Sequence, residues 1–371
     1  MKIKKTILEL TPYPPGKPIE ELTREYGIQE VIKLASNENP LGPSAKALSA
    51  IRRILPQLHR YPDGSGYYLK QALSRRLGVA PDQILLGNGS NELIELSLKT
   101  FLRPGAEVIS PFPSFLVYEK AVQALDGKNI LVPLRRFVVD LQGMLDRISP
   151  RTRMIIINNP NNPTGTIFNK KDWELFLKAV PKPIPILLDE AYIDFVDDPD
   201  CPNGLEYLQD HPNLFVIRTF SKAYGLAGLR IGYGLTGRDP ADYINRVRQP
   251  FNVNALALAG ALGALSDQPF YEKTRSLVRQ GKKSLEKALE GLGLSFIPSQ
   301  TNFILIRVPQ KGQEVFEAML HKGIIIRSMR SYGLEDYIRV NIGLPNENLK
   351  FLKALKEVIG SRPAKRKGKM R

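Results

Sequence analysis

Residues 154–192 read MIIINNPNNPTGTIFNKKDWELFLKAVPKPIPILLDEAY and contain the pattern from which the fold class can be predicted. Two short apolar runs, MIII and ILL, stand on either side of an amphipathic segment. Such alternation is typical of two parallel strands joined by a helical crossover. The same pattern occurs from Ile84 onward in ILLGN, EVIS and LFVIRTFSK, which are separated by helical segments. We therefore predict an α/β fold with a large, doubly wound and mainly parallel sheet.

The pattern changes beyond Pro240, where a long helical segment precedes the short runs NFILIRV, GIIIRS and YIRVNIG. This change predicts a second, smaller α+β domain. The first 45 residues contain TPYPPGKP and NENPLGPS, which are too rich in Pro and Gly for regular structure, so we expect an arm that packs on another part of the molecule. The predicted units are an arm with the start of the small domain (1–45), a large domain (46–250), a smaller C-terminal domain (251–360) and a disordered basic tail (361–371).

Composition and charge narrow the function classes. The net charge is +16, but nine of these charges lie in residues 2–5 and 362–371, so charge alone does not predict nucleic-acid binding. The chain has one cysteine, Cys201, and three widely spaced histidines, which favours a cytoplasmic protein without a metal site. No apolar run approaches the roughly 18 residues that a membrane-spanning helix needs, so we expect no membrane association.

Polar residues follow four of the predicted strands, where ligands bind in open α/β sheets. GNGSNE follows ILL and places Ser90 at a helix start, which suits a phosphate, although a serine that merely caps its helix is commoner. NNPNNPTG follows MIII and contains Asn162; it is either a ligand-binding turn or an ordinary Asn-rich one. Asp189 ends a strand apolar enough to be buried, which implies a cationic partner. SKAYGLAGLR follows LFVIRTF and offers Lys222 and Arg230.

These four strand ends together fit one cofactor, pyridoxal 5'-phosphate (PLP). PLP requires a lysine amine for its aldehyde, an anion beside its ring nitrogen, donors for its phenolic oxygen, a stacking face and a phosphate site. The sequence offers a candidate for each requirement.

The order and spacing of these motifs resemble the fold-type I aminotransferases. NPNNPTG, DEAY and TFSKAYGLAGLRIGY occur in that family's order, with Lys222 33 residues after Asp189 and Arg230 eight residues after Lys222. KLASNENPLGPS, RYPDG, GNGSNELI and PFNVNALALAGALGAL extend the resemblance to the histidinol-phosphate aminotransferases over nearly the whole chain. One departure lies at 331–335, where SYGLE replaces the family's Gly-Tyr-Gly-Leu-Pro. The resemblance implies PLP-dependent transamination between histidinol phosphate and 2-oxoglutarate in histidine biosynthesis.

The resemblance also implies roles for residues around the cofactor ring. Lys222 would bind the cofactor aldehyde and then act as general base, and Asp189 would pair with the pyridine nitrogen. Tyr192 and Asn162 would donate to the phenolic oxygen. Phe115 matches the position of an aromatic ring stacked on the pyridine, although an aromatic residue at a helix start is more often part of the core.

Further residues are implied for the phosphate group of the cofactor and for the substrate. Four side chains and amides would hold the phosphate together with Arg230: Thr219, Ser221, and the backbone amides of Ser90 and Asn91. Tyr61 matches a tyrosine that reaches the cofactor phosphate of the partner subunit, which implies a homodimer with shared active sites. Arg327 and Arg339 would bind the anionic groups of histidinol phosphate and glutamate, and Tyr13 would lie near the phosphate or imidazole.

Three alternatives stay open at this point. An aromatic-amino-acid aminotransferase and a threonine-phosphate decarboxylase share the fold and cannot be separated by composition. A non-enzymatic nucleic-acid-binding protein is the remaining alternative, and it would have no need of Lys222, Asp189, Asn162 and Arg230 together.

Overall fold

A seven-stranded sheet forms the centre of the computed structural model, which describes residues 2–12 and 16–360. The strands of the described chain are β1 (Ile32–Lys33), β2 (Ile84–Gly87), β3 (Glu107–Phe112), β4 (Lys128–Pro133), β5 (Thr152–Asn158), β6 (Ile186–Asp189), β7 (Leu214–Thr219), β8 (Gly232–Leu235), β9 (Phe296–Ile297), β10 (Phe303–Arg307), β11 (Ile324–Ile325), β12 (Arg327–Ser328) and β13 (Tyr337–Asn341). The helices are α1 (Lys5–Leu8), α2 (Ile19–Tyr26), α3 (Ala45–Ile54), α4 (Tyr67–Leu77), α5 (Ser90–Phe101), α6 (Val117–Ala124), α7 (Leu141–Leu145), α8 (Lys170–Ala179), α9 (Arg238–Val247), α10 (Ala255–Leu265), α11 (Gln268–Gly291), α12 (Gly312–His321) and α13 (Pro345–Gly360).

The strand order of the large sheet is β2-β8-β7-β6-β5-β3-β4. Strands β3 to β7 pair in parallel, whereas β8 pairs antiparallel with both β2 and β7. The parallel strands are joined by the crossovers that the apolar runs predict, so the mainly parallel doubly wound sheet is confirmed. The antiparallel strand β8 was not predicted, because its sequence GYGL looks like a continuation of the glycine-rich segment before it.

Side chains of the central strands are buried on both faces of the sheet. Met154 and Ile156 of β5 face one apolar cluster, which includes residues of α5, α6 and α9. Ile155 and Ile157 face the other, which includes Trp173 of α8 and residues of α10 and α11. Alternate residues of a strand point to opposite faces, so a strand covered on both faces has to be apolar throughout. Burial of each such Ile or Leu side chain stabilises the folded state by roughly 1.5–3 kcal/mol.

A smaller antiparallel sheet of order β12-β13-β10-β9 is formed by residues 296–341. Helices α12 and α13 pack together beside it, and α12 also contacts β12 and β13. Strand β1, which comes from the N-terminal segment, pairs in parallel with β11 next to this sheet. The two sheets thus come from separate stretches of chain, and the exact domain boundaries stay a prediction.

The expectation of irregular structure in residues 1–45 is wrong for Lys5–Leu8, Ile19–Tyr26 and Ile32–Lys33. Ile19–Tyr26 forms a helix whose Leu22 is fully buried against Leu320 and Ile325. Pro18 precedes the first turn, and Gly27 ends the helix with a φ of 70°. Proline and glycine here mark the helix ends, where each is favoured, and do not interrupt it. The predicted tail, 361–371, and Tyr13 lie outside the described residues.

Candidate active site

A cavity of about 810 Å³ opens beyond the carboxyl ends of β5, β6 and β7. Asn158, Asp189 and Thr219 are the last residues of these strands, and all three line the cavity. Parallel strands bring their carboxyl ends to the same edge of the sheet, which explains why residues so distant in sequence meet there. Ten residues predicted from the sequence line this cavity: Ser90, Asn91, Phe115, Asn162, Asp189, Tyr192, Thr219, Ser221, Lys222 and Arg230.

Asp189 is a buried carboxylate that is 3% exposed. Its Oδ2 accepts a hydrogen bond from the Tyr118 hydroxyl at 2.7 Å, and its Oδ1 accepts one from the Ala191 amide at 3.0 Å. Burial raises the pKa of Asp189 to about 6, although the Tyr118 hydrogen bond opposes this rise. Within residues 2–12 and 16–360, no Lys, Arg or His nitrogen lies within 4 Å of its oxygens. The cationic partner implied by the sequence is therefore not supplied by a Lys, Arg or His side chain of the described residues.

The next residue, Glu190, is also buried but has its partner within the protein. Arg218 approaches its Oε2 at 2.7 Å, and the Gly204 amide donates to its Oε1 at 2.6 Å. The two adjacent acidic residues thus differ in whether the protein supplies a cationic partner. Glu190 is satisfied inside the fold, whereas Asp189 faces the cavity and suits a cationic ring nitrogen such as that of PLP.

Lys222 lies on the same cavity, after the end of β7. Its Nζ donates to the Ser36 carbonyl at 3.2 Å and lies 5.8 Å from the centroid of the Tyr192 ring. Burial, with a smaller contribution from the nearby Arg339 charge, lowers the pKa of Lys222 to about 8. A lysine with a lowered pKa has a larger neutral fraction near pH 7, which an amine needs to attack a carbonyl.

The side chains of Tyr192 and Asn162 each have one atom engaged in a hydrogen bond within the protein. The Tyr192 hydroxyl oxygen accepts from Asn37 Nδ2 at 2.9 Å, and burial raises the pKa of Tyr192, so the phenol keeps its proton. Asn162 Oδ1 accepts from Arg339 NH1, and the backbone N–H of Asn162 donates to Asn158 Oδ1 at 2.8 Å. The Tyr192 proton and Asn162 Nδ2 are then left for an acceptor in the cavity, as the phenolic oxygen of PLP requires.

The start of α5 and Arg230 lie beside each other at the cavity, where the sequence predicts a phosphate site. Gly89 occupies the cap position with a φ of 78° and offers no side-chain cap, so Ser90 does not cap its own helix. A Cβ atom at Gly89 would lie 2.6 Å from NH2 of Arg230, so the missing side chain leaves room for the guanidinium beside the helix start, and the φ of 78° favours glycine here. Thr219 Oγ1 accepts from the Ser221 amide at 3.0 Å, which fixes this turn beside the helix start. Helix N-termini and guanidinium groups are both suited to phosphate.

Three of the predicted residues that the structure describes do not line the cavity. Tyr61 is 84% exposed and stacks on Phe251 at 4.8 Å between ring centroids. Arg339 is buried and is linked to the cavity through its hydrogen bond to Asn162. Arg327 is half-buried and lies opposite Arg339 in the register of the antiparallel strands β12 and β13. Tyr13 lies outside the described residues.

The sequence did not indicate three further residues that hold the site together. Tyr118 and Asn37 contact Asp189 and Tyr192 directly, and Asn158 donates through Nδ2 to the Asp189 carbonyl at 2.8 Å. For Tyr118 a signal existed, because it follows Phe115 by three residues at the start of a helix and therefore shares its face. In the described part of the chain, no cluster of three or more His, Cys, Asp or Glu side chains could hold a metal ion, and no helix has the length and apolar character to cross a membrane.

Comparison with known proteins gives the family. A family model described as aminotransferase class I and II matches residues 29–355. The histidinol-phosphate aminotransferase of Desulfotalea psychrophila is 48% identical, covering 97% of this chain and 96% of that protein. The enzyme of the same name from Moorella thermoacetica is 44% identical over 96% of this chain and 93% of its own length. The chain belongs to the histidinol-phosphate aminotransferase family.

Solved structures support this membership and confirm the fold class. The histidinol-phosphate aminotransferase from Sinorhizobium meliloti, solved in complex with pyridoxal-5'-phosphate, superposes with a TM-score of 0.89 at 28% identity and covers 96% of this chain and 97% of that one. An aspartate aminotransferase from Thermotoga maritima shares the fold with a TM-score of 0.85 at 21% identity, covering 97% of this chain and all of that chain. The fold-type I architecture predicted from the sequence is confirmed.

Proposed function

We propose that this chain catalyses transamination between histidinol phosphate and 2-oxoglutarate, giving imidazole acetol phosphate and glutamate, with PLP as its cofactor. The observation that carries the proposal is the buried Asp189 carboxylate, which has no cationic partner in the described chain and shares a cavity with Lys222. Family membership supports the proposal, because the relatives that match this chain over nearly their full length are named histidinol-phosphate aminotransferase. Histidine biosynthesis is the pathway that this reaction serves.

The residues of the cavity are suited to each demand of the cofactor. When bound, PLP supplies an aldehyde that reacts with amines and a ring that withdraws electrons from the substrate Cα. Lys222 would bind that aldehyde through Nζ and, once displaced by substrate, move the Cα proton. Asp189 would hold a proton on the ring nitrogen, and Tyr192 and Asn162 would donate to the phenolic oxygen. Phe115, at the cavity wall, would cover one face of the ring.

The phosphate and substrate ends follow from the remaining groups. Arg230 and the start of α5, with Thr219 and Ser221, would hold the cofactor phosphate. Arg339 would bind the substrate carboxylate, and Arg327 would join it on the phosphate of histidinol phosphate. Tyr13 would approach the same substrate end.

We further propose a homodimer with shared active sites, acting in the cytoplasm. Tyr61 supports the dimer, because it is exposed in the single chain and stacked away from its own cavity on Phe251. A tyrosine in this position is free to contact the cofactor phosphate of a partner subunit. The buried free thiol of Cys201 suits a reducing compartment.

A substrate panel tests the proposal. Purified protein is incubated with PLP, 2-oxoglutarate and, in turn, histidinol phosphate, phenylalanine, tyrosine and threonine phosphate, while glutamate and carbon dioxide are measured. We expect glutamate to form fastest from histidinol phosphate. Turnover of phenylalanine without turnover of histidinol phosphate would reject the substrate, and carbon dioxide from threonine phosphate would favour the decarboxylase.

A further inference from the structure

Three consecutive residues of the N-terminal segment each contact a different residue of the candidate site. The Ala35 carbonyl accepts from Arg339 NH2 at 3.0 Å, and the Ser36 carbonyl accepts from Lys222 Nζ at 3.2 Å. Asn37 donates through Nδ2 to the Tyr192 hydroxyl at 2.9 Å. The two carbonyl contacts use backbone atoms that any residue would offer. Asn37 alone contributes a side chain, so its identity matters.

The position of Asn37 is fixed from the side of the small sheet. Its backbone has a φ of 55°, in the left-handed region where Asn is one of the few tolerated residues. Its amide donates to Asn341 Oδ1 at 3.2 Å, and its carbonyl accepts from Asn302 Nδ2 at 3.1 Å. With both backbone groups held, the side chain of Asn37 has a defined direction toward Tyr192.

The polarity of this hydrogen bond determines where the Tyr192 proton points. An amide nitrogen only donates, so the Tyr192 oxygen acts as the acceptor in this contact. The single phenolic proton must then point away from Asn37. Arg339, Asp189 and Tyr332 act on the ionisation of the Tyr192 hydroxyl, and Lys222 Nζ lies 5.8 Å from the centroid of the Tyr192 ring. Within the described residues no hydrogen bond joins the Tyr192 hydroxyl to Lys222, Asp189 or Arg339, and Tyr192 lines the cavity, which gives its proton an open direction there.

We propose that Asn37 is a positioning residue, which directs the proton of Tyr192 into the cavity so that it is donated to the phenolic oxygen of the cofactor. The inference rests on the proposed function and concerns a residue that does not itself line the cavity. Donation to a phenolate stabilises the charged form and so lowers the pH at which the cofactor oxygen and its lysine link lose their shared proton. Loss of Asn37 should therefore move this transition upward.

The test is a pH titration of visible absorbance in the PLP-loaded protein. Asn37→Gly is the variant of choice, because glycine accepts the left-handed backbone and removes only the side chain. We expect the absorbance midpoint to rise by up to about one pH unit, which corresponds to one ordinary hydrogen bond. Asn37→Asp provides a second variant in which the carboxylate accepts the Tyr192 proton and turns it away from the cavity, so its midpoint should rise further.

Two controls separate positioning from general support of the fold. In a Tyr192→Phe background, Asn37→Gly should cause no additional shift, because the proton it directs is gone. Asn302→Ala removes one of the two contacts that hold the Asn37 backbone and leaves the hydrogen bond from Asn37 to Tyr192 in place, so it should lower the melting temperature and shift the midpoint by clearly less than Asn37→Gly does.

Each outcome decides the inference. An unchanged midpoint in both Asn37 variants, while Tyr192→Phe alone raises it, would overturn the role of Asn37 and leave the proposed function standing. A shift in Asn302→Ala as large as that in Asn37→Gly, or a full further shift in the Tyr192→Phe background, would overturn it as well. Absence of any visible band in wild-type protein with PLP would overturn the proposed function and the role of Asn37 with it.

Discussion

Arg339 donates a hydrogen bond through NH1 to Oδ1 of Asn162, so a residue predicted to bind substrate holds one predicted to bind the cofactor. Because Oδ1 is engaged, the amide of Asn162 has a fixed orientation and presents Nδ2 to the cavity. Arg339 is only 6% exposed and also donates to the Ala35 carbonyl at 3.0 Å. A change at Arg339 is therefore expected to disturb the cofactor site as well as the substrate site.

Lys222→Ala should abolish transamination and leave the fold intact. The described structure shows one hydrogen bond from its Nζ, to the Ser36 carbonyl, so little structural support is lost. Loss of a general base alone costs typically 10²–10⁴-fold, and here the covalent link to the cofactor is lost too. The transamination rate and the absorbance of PLP-treated protein provide the measurement. We expect the variant to bind PLP only noncovalently. Retention of more than about 1% of the wild-type rate would contradict the assignment.

Lys282 provides the matched control. It is also a buried lysine, 7% exposed, and burial lowers its pKa, but it lies on α11 away from the cavity. Lys282→Met should keep both the rate and the absorbance band. A loss of the band in this variant and not in Lys222→Ala would place the cofactor lysine elsewhere.

Asp189→Asn should change how stability depends on pH in the cofactor-free protein. Burial raises the pKa of Asp189 from 3.8 to about 6, so the folded protein binds this proton more tightly than the unfolded chain does. Stability from this carboxyl is therefore lost as pH rises from about 4 to about 6, by up to about 3 kcal/mol. Asn does not titrate. Between pH 4 and pH 7 the free energy of unfolding of the variant should therefore increase relative to that of wild type by up to this amount. Denaturant unfolding at the two pH values measures the difference.

PLP should reverse that gain, because a protonated ring nitrogen gives the wild-type carboxylate the cation that it lacks. The transamination rate of Asp189→Asn should fall steeply even when PLP is bound. Glu190→Gln is the control: its partner Arg218 is in the protein, so it should lose stability at pH 7 whether or not PLP is present. An unchanged rate in Asp189→Asn would remove the role of this residue at the ring nitrogen.

Mixing Tyr61→Phe with Lys222→Ala subunits tests the shared site. If Tyr61 serves its neighbour, a heterodimer contains one site with both lesions and one with neither, and activity returns on mixing. The exposure of Tyr61 and its stacking on Phe251 favour this outcome. Heterodimers are counted by native mass spectrometry. If they form without recovery, and Tyr61→Phe alone is clearly impaired, Tyr61 acts within its own subunit.

Local patterns explain which parts of the fold and site were predictable. Apolar runs that end in polar residues indicate buried strands, and the polar residues then mark the ligand edge of the sheet, as with Asn158, Asp189 and Thr219. The helix at Ile19–Tyr26 and the antiparallel strand at Gly232–Leu235 were missed, because proline and glycine nearby suggested loops.

Residues that act through tertiary contacts leave no such signal. Tyr118 lies 71 positions from Asp189, and Asn37 lies 155 positions from Tyr192. Neither spacing repeats a helical or strand period, so only the folded chain brings the pairs together. The sequence NENP, which begins at Asn37, predicts only a turn. The hydrogen bond from the Asn37 amide to Asn341 at the end of β13 becomes apparent only in the folded chain.

The register of β12 and β13 sets up the last prediction. Arg327 lies directly opposite Arg339 in this antiparallel pair, so both side chains project from the same face of the sheet. Two guanidinium groups on one face of a sheet concentrate positive charge there. This pairing fits a site for a substrate with a phosphate or carboxylate group.

Arg327→Ala should therefore weaken the reaction of histidinol phosphate far more than that of glutamate, by on the order of 2–4 kcal/mol in transition-state stabilisation. Arg339→Lys should impair both half-reactions, because an ammonium cannot replace a bidentate guanidinium and the contact to Asn162 changes too. Single-turnover rates of the PLP-loaded enzyme are measured separately with glutamate and with histidinol phosphate. These rates distinguish the role of Arg327 from that of Arg339. Equal losses for both substrates in Arg327→Ala would reject its phosphate role, and a normal glutamate half-reaction in Arg339→Lys would remove Arg339 from carboxylate binding.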